Sequence, residues 1–168
     1  MIVKSNNPYP EPKVERQNLE YAKLLLQDYA GEVSEDTAIH LYLFQHFTSE
    51  WEEFKEVIRE ISISEMTHLE LLAETIKLLG LKPKYKTFNA SNDVLIPWTS
   101  DNVNYETDIK KVLEVDINAE TKAIETYKLH MEIIDDKYIK QLLSRIIEDE
   151  EIHLKIFKEF YSKVKSTS

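Results

Sequence analysis

Apolar residues recur at three- and four-residue steps over most of the chain, and this spacing predicts four long helices. The first runs from about Glu15 to His46, where Leu25, Glu32, Glu35, Ile39 and Tyr42 form one stripe with Asp28 between them. Gly31 lies inside it, so the helix can break there but need not. Ser49 is the expected N-cap of a second helix, about Glu50 to Leu79, with the stripe Trp51, Phe54, Ile58, Ile61, Glu65, His68, Leu72 and Ile76. Gly80 is its expected stop. A third helix, about Tyr105 to Asp135, carries Ile109, Val112, Val115 or Asp116, Glu120, Ala123, Ile124 and Tyr127. Asp135 and Asp136 mark a turn, and a fourth helix from about Lys137 to Val164 carries Leu142, Ile146, Glu150, His153, Phe157 and Phe160.

Two segments lack the pattern. Residues 1–14, with Pro8, Pro10 and Pro12, read as an extended arm. Residues 81–105 are punctuated by Pro83, Asn89, Ser91, Asn92, Asp93, Pro97, Ser100 and Asp101. Their apolar residues need a surface to cover, so they read as an ordered crossover, with Tyr85 and Trp98 expected to pin it. The expectation is an all-α fold: one four-helix bundle over 1–168 with a long crossover between the second and third helices.

Composition narrows the chemistry. With only two glycines among 168 residues there is no glycine-rich phosphate cradle, and turn residues are too few for a β-sandwich or barrel. The absence of cysteine excludes disulfides, thiolate metal sites and a thiol nucleophile. A formal charge of −10 disfavours nucleic acid and anionic membranes and favours cations. No apolar run approaches the ~18 residues of a membrane span, and no signal-peptide pattern opens the chain. The expected location is the cytoplasm.

The halves repeat. A shift of 85 positions carries Glu35, Ala38, Ile39 and Tyr42 onto Glu120, Ala123, Ile124 and Tyr127 without a gap. The same shift carries Ile61, Glu65, His68 and Leu69 onto Ile146, Glu150, His153 and Leu154. Each half therefore holds E-x-x-A-I-x-x-Y and, 30 residues after its first Glu, E-x-x-H. A Glu and a His three apart share one helix face, and both sit within an apolar stripe that points to the core. A carboxylate in a core must be protonated, paired or metal-bound. A lone E-x-x-H is more often a solvated face, and the Glu148–His153 run alone could be a surface acidic patch. Two ungapped copies, each on an apolar stripe, favour metal. Four carboxylates and two neutral imidazoles balance two divalent cations and offer the O/N donors that iron and manganese accept.

These motifs resemble the ferritin-like superfamily, and in size and plan the rubrerythrin diiron domain. Tyr29–Gln45 is similar to the first-helix motif of rubrerythrins, and Ser64–Gly80 also resembles the second helix of manganese catalases. The resemblance implies Glu35 and Glu120 as terminal ligands, Glu65 and Glu150 as bridges, and His68 and His153 as one ligand to each ion. It further implies that Tyr42 and Tyr127 hydrogen-bond ligand carboxylates. Asp149 matches an Asp that orients a ligand His in bacterioferritins, and its repeat counterpart here is Ser64. Rubrerythrins carry an additional Glu where this chain has Ile117, which puts their redox-dependent ligand swap in doubt. Glu32 instead offers an extra carboxylate in the first helix: the repeat selects Glu35, the rubrerythrin Ala-Gly-Glu alignment selects Glu32, and the repeat is preferred. His40, His46 and His130 are expected at the surface or rim.

The implied function is a dinuclear iron or manganese oxidoreductase, with two ions per chain, acting on hydrogen peroxide (or dioxygen) as rubrerythrins do. Without cysteine the chain has no rubredoxin site of its own, so peroxidase turnover would draw on a separate electron-donor protein. The alternatives are manganese-catalase-like disproportionation and non-catalytic, ferritin-type iron oxidation and storage. A homo-oligomer, a dimer, is expected.

Overall fold

The computed structural model describes residues 2–88 and 94–167, and in Thr167 the backbone only. In chain order the elements are α1 (Leu19–Ala30), α2 (Glu35–Thr48), α3 (Glu52–Leu78), the short strands β1 (Lys86–Phe88) and β2 (Leu95–Pro97), a 3-10 turn (Ser100–Asn102), α4 (Ile109–Ile133) and α5 (Lys137–Thr167). The fold is a ferritin-like helical bundle.

The first bundle helix is in two pieces. The Gly31 amide donates to Gln27 O at 2.9 Å and closes α1. A Cβ at Gly31 would lie 2.5 Å from that same carbonyl oxygen, so only glycine fits there. Ser34 then caps α2, its Oγ accepting from the Thr37 amide at 3.3 Å. The Ser34 and Thr37 hydroxyls both donate to Gly31 O, at 2.8 and 3.1 Å, so the break leaves few polar groups unmet. α1 begins at Leu19 rather than Glu15 because Asn18 Oδ1 caps it, accepting from the Glu20 and Tyr21 amides. Ser49 is not the N-cap of α3: it ends α2, and Trp51 holds the cap position without a side-chain hydrogen bond. Gly80, at φ +100°, ends α3 in the left-handed conformation that favours glycine.

Helix directions follow from the contacts. Tyr42 reaches Glu120 while Tyr127 reaches Glu35, so α2 and α4 are antiparallel. His68 meets Asp149 while Glu65 meets His153, so α3 and α5 are antiparallel as well. The tight α2–α3 and α4–α5 connections make antiparallel hairpins, which leaves α3 and α4 parallel and requires the crossover. The crossover carries a β1–β2 antiparallel pair with Thr87 opposite Ile96. Asn89, Ser91, Asn92 and Asp93 lie outside the described residues. Trp98 donates from Nε1 to Thr37 Oγ1 at 2.9 Å, and Tyr85 stacks on Tyr29 with centroids 5.4 Å apart, which holds the crossover against the first bundle helix.

Two apolar clusters fill the bundle. One, at the α1 end, includes Leu25, Leu72, Ile76, Ile139 and Leu143. The other includes Tyr42, Phe54, Ile58, Leu113, Phe157 and Phe160. Residues 62–68 of α3 and 148–153 of α5 pass between them, and this is where the charged core residues lie.

Candidate metal centre

Glu35, Glu65, His68, Glu120, Glu150 and His153 converge at mid-bundle, and none is more than 4% exposed. They form two interlocking groups, Glu35–Glu65–His68–Glu150 and Glu65–Glu120–Glu150–His153, in each of which one donor atom per residue lies within 4.8 Å of the others. Glu65 and Glu150 belong to both. The two histidines present Nδ1 inward. His68 Nδ1 is 2.9 Å from Glu65 Oε2, 3.1 Å from Glu150 Oε1 and 3.6 Å from Glu35 Oε2. His153 Nδ1 is 2.9 Å from Glu65 Oε1, 3.1 Å from Glu150 Oε2 and 3.9 Å from Glu120 Oε2. Despite the 2.9 Å approach, Glu65 Oε1 has no hydrogen bond of acceptable geometry. Such an arrangement suits donor atoms aimed at a common point rather than at one another.

The tyrosines close the outer side. Tyr42 donates to Glu120 and Tyr127 to Glu35, each across the bundle to the carboxylate of the other repeat. Burial pushes both phenols well up, and the facing carboxylates add to it, so they remain proton donors.

The electrostatics are those of a cluster that must hold either protons or cations. Burial, with repulsion from Glu150 and Glu65, pushes the Glu35 and Glu120 carboxyls well above the usual range. Burial acts the same way on Glu65 and Glu150, but the neighbouring histidines overcome it and hold both below it. His153 is pushed up to about 10 and His68 also well up, because the surrounding carboxylates outweigh their desolvation. Protons thus balance the charge of the metal-free cluster. Two divalent cations would do so equally, on a mixed oxygen and nitrogen donor set that suits iron and manganese. The residues present fit such a centre.

The surroundings of the two histidines differ. His68 Nε2 meets Asp149 Oδ2 at 3.0 Å. Asp149 also accepts from Tyr9 Oη at 2.5 Å, Arg145 Nη1 at 2.7 Å and the Ser5 amide at 2.6 Å. Burial would raise its carboxyl, yet these donors hold it down at about 2. Arg145 also donates to Asn7 O and Ser5 O, which fastens the arm to α5. Among the described residues, His153 Nε2 is buried with no hydrogen-bond partner.

A cavity of about 250 Å3 opens on the opposite side, between α2 and α4. Glu35, Tyr42, Glu120 and Tyr127 line its floor, Ala38, Leu41, Val115 and Ala123 its walls, and Glu32, Asn104 and Lys122 belong to its more exposed lining. Glu32 lies in the break between α1 and α2, exposed and outside both four-residue groups, whereas Glu35 belongs to one of them. Ile117 is half-buried on α4.

His40 is exposed and His46 half-buried, as expected for the rim. His130 is not at the surface: it is 2% exposed, with Nδ1 2.7 Å from Asp28 Oδ2. Asp28, buried near the end of α1, meets it there. At the other end of the site Gln45 donates to Asp116 Oδ1 at 2.7 Å. Sequence reasoning missed these two pairs, as well as Tyr9, Ser5 and Arg145. Only Arg145 left a trace, one helical turn before Asp149.

The rubrerythrin family model matches residues 23–161, and the chain belongs to that family of ferritin-like diiron domains. It is 30% identical over 170 residues to the probable manganese catalase of Clostridium acetobutylicum, spanning 92% of this chain and 76% of that protein. It is 28% identical over 135 residues to a bacterioferritin of Desulfovibrio desulfuricans, spanning 77% and 69%. Among solved structures, KatB, a manganese catalase from Anabaena, superposes with a TM-score of 0.84 at 23% identity over 98% of this chain and 81% of that one, a likeness of fold. Among the described residues no helix is long and apolar enough to cross a membrane.

Proposed function

We propose that the chain is a dinuclear iron or manganese oxidoreductase acting on hydrogen peroxide. The observation that carries this reading is the pair of interlocking four-residue groups sharing Glu65 and Glu150. In it, Glu35 and His68 would hold one ion and Glu120 and His153 the other, with Glu65 and Glu150 available to both. Two such ions side by side supply two-electron exchange with peroxide.

The chain's own residues do the rest. Tyr42 and Tyr127 fix the orientation of the terminal carboxylates and keep their protons, because burial and the facing carboxylates oppose phenolate formation. The cavity admits a molecule of a few heavy atoms to the side opposite the histidines, and its Ala and Leu walls limit water. The apolar clusters at either end hold the four bundle helices rigid, so the donors are pre-placed.

Within peroxide chemistry, the relative named a manganese catalase favours disproportionation, in which two hydrogen peroxide molecules yield one dioxygen and two waters. It needs no donor, and the chain has no cysteine from which to build a thiolate electron relay. The donor-dependent reaction, in which one peroxide takes two electrons and two protons to give two waters, is the second reading. Oxygen-electrode measurement on manganese- and iron-loaded protein separates them: dioxygen evolved without reductant supports the first, and peroxide consumed only with a reductant supports the second. Iron oxidation and storage, suggested by the bacterioferritin relative, requires a large hollow shell. Gel filtration showing a dimer or similarly small oligomer removes it.

A further inference from the structure

The internal repeat that copies the six candidate ligands does not copy what stands behind them. The pair Asp149–His68 maps under the 85-residue shift onto Ser64–His153. At the first position a carboxylate takes the imidazole Nε2 at 3.0 Å, and at the second the imidazole Nε2 has no partner among the described residues. Accepting the two-ion reading above, we propose that the two metal positions are unequal: the Glu35–His68 position loads first, and Asp149, held by Tyr9 of the N-terminal arm, is the positioning residue that makes it the tighter one.

Each histidine faces the centre with Nδ1, so the metal-binding tautomer carries its proton on Nε2. Asp149 accepts that proton, selects the binding tautomer of His68, fixes the ring and raises the basicity of Nδ1. Its charge is itself anchored on both oxygens, Oδ1 by Arg145 and the Ser5 amide, Oδ2 by Tyr9. The guanidinium of Arg145 lies 4.1 Å from the centroid of the Tyr9 ring and donates to the carbonyls of Ser5 and Asn7, so arm and carboxylate are ordered as one unit. Ser64 is too short and uncharged to do the same for His153. Among the described residues nothing accepts from Nε2 of that ring, so nothing fixes its plane or holds the Nε2 proton when Nδ1 gives its own up to a metal ion. Through Asp149 the arm bears on His68.

The test is a titration of chelator-stripped, full-length protein with Mn2+ alone, followed by calorimetry. The expected result is two steps separated by at least about tenfold in affinity. Asp149→Asn weakens the first step by about 10–100-fold and leaves the second in place. Tyr9→Phe, which removes one hydroxyl at the half-buried arm, weakens the first step less and keeps the fold. Ser64→Asp provides the missing acceptor and tightens the second step, a gain that general damage to the bundle cannot produce. At one equivalent of Mn2+, anomalous scattering from crystals places the ion between Glu35 and His68. Two equal steps in the wild type, first loading at His153, or equal weakening of both steps by Tyr9→Phe would overturn the proposal. Failure of the folded wild type to bind Mn2+ at all sinks the two-ion reading, whereas two equal tight steps leave that reading intact and remove only the inequality.

Discussion

Around Glu35 and His68 the site is roofed by the arm and buttressed by Asp149 and Arg145, and Glu35 follows a break in its helix. Around Glu120 and His153 the site stands on the unbroken α4, and among the described residues nothing partners His153 Nε2. Yet the donors of the two halves superimpose in type and spacing, and each tyrosine reaches across to the other half's carboxylate. The contrast teaches that the repeat holds the six donors and little else. Duplicated carboxylates in a dry core have to be charge-balanced together, so a change at one is felt at the other. A buttress behind one imidazole, or a cap in one helix, carries no such obligation and is free to diverge.

The sharpest break in the symmetry comes from separating shared from unshared ligands. Glu65→Ala or Glu150→Ala should abolish binding of both ions, as read by metal analysis of purified protein. Glu35→Ala or Glu120→Ala should chiefly remove one. Full loading of the Glu65→Ala protein would show that the two groups are independent.

Within the first half, Glu32 and Glu35 compete for one role. Glu35→Gln should weaken metal binding and cut peroxide turnover strongly, since the amide keeps the shape and loses the charge. Glu32→Gln, at an exposed position, should change stability by no more than about 0.5 kcal/mol and leave metal content intact. The reverse order would mean that the break re-forms around a Glu32 ligand.

Metal removal should lower the melting temperature of the wild type without unfolding it, because both apolar clusters extend well beyond the centre. Ions at a hundredfold excess over their Kd stabilise the fold by about 2.7 kcal/mol per site. Scanning calorimetry with and without chelator measures the difference, and equal melting points would make the ions peripheral.

A smaller effect contrasts the two ends of the site. Asp28 faces His130, whereas Asp116 faces the uncharged Gln45, and burial pushes the Asp116 carboxyl up to about 8. A carboxyl whose folded-state pKa lies above its unfolded value of about 3.9 takes up a proton on folding at pH between the two. Its contribution is therefore most favourable below pH 4 and declines as pH rises towards 8, by about 1.4 kcal/mol per pH unit at most. Asp116→Asn should flatten this part of the stability–pH curve and make the protein more stable than wild type at pH 8. Denaturant titrations across that range provide the check, and an unchanged slope would mean that Asp116 is charged in the fold.

The sequence alone determined the helical class, the crossover and the six residues that converge at mid-bundle, because these depend on local periodicity and on a repeat of fixed spacing. The E-x-x-H pairs are set by helix geometry, and their places on apolar stripes announced burial before any contact was known. Tertiary structure decided the rest. It broke the first helix at Gly31, where the chain packs so closely on Gln27 O that a Cβ would not fit. It buried His130, expected at the rim, where α1 brings Asp28 to its Nδ1. It brought Tyr9 and Ser5 to Asp149 across some 140 residues, through an arm without periodicity whose place is set by Arg145. Hydrogen bonds between groups so far apart leave no mark on local pattern, so only packing of the whole chain reveals which histidine is held and which is not.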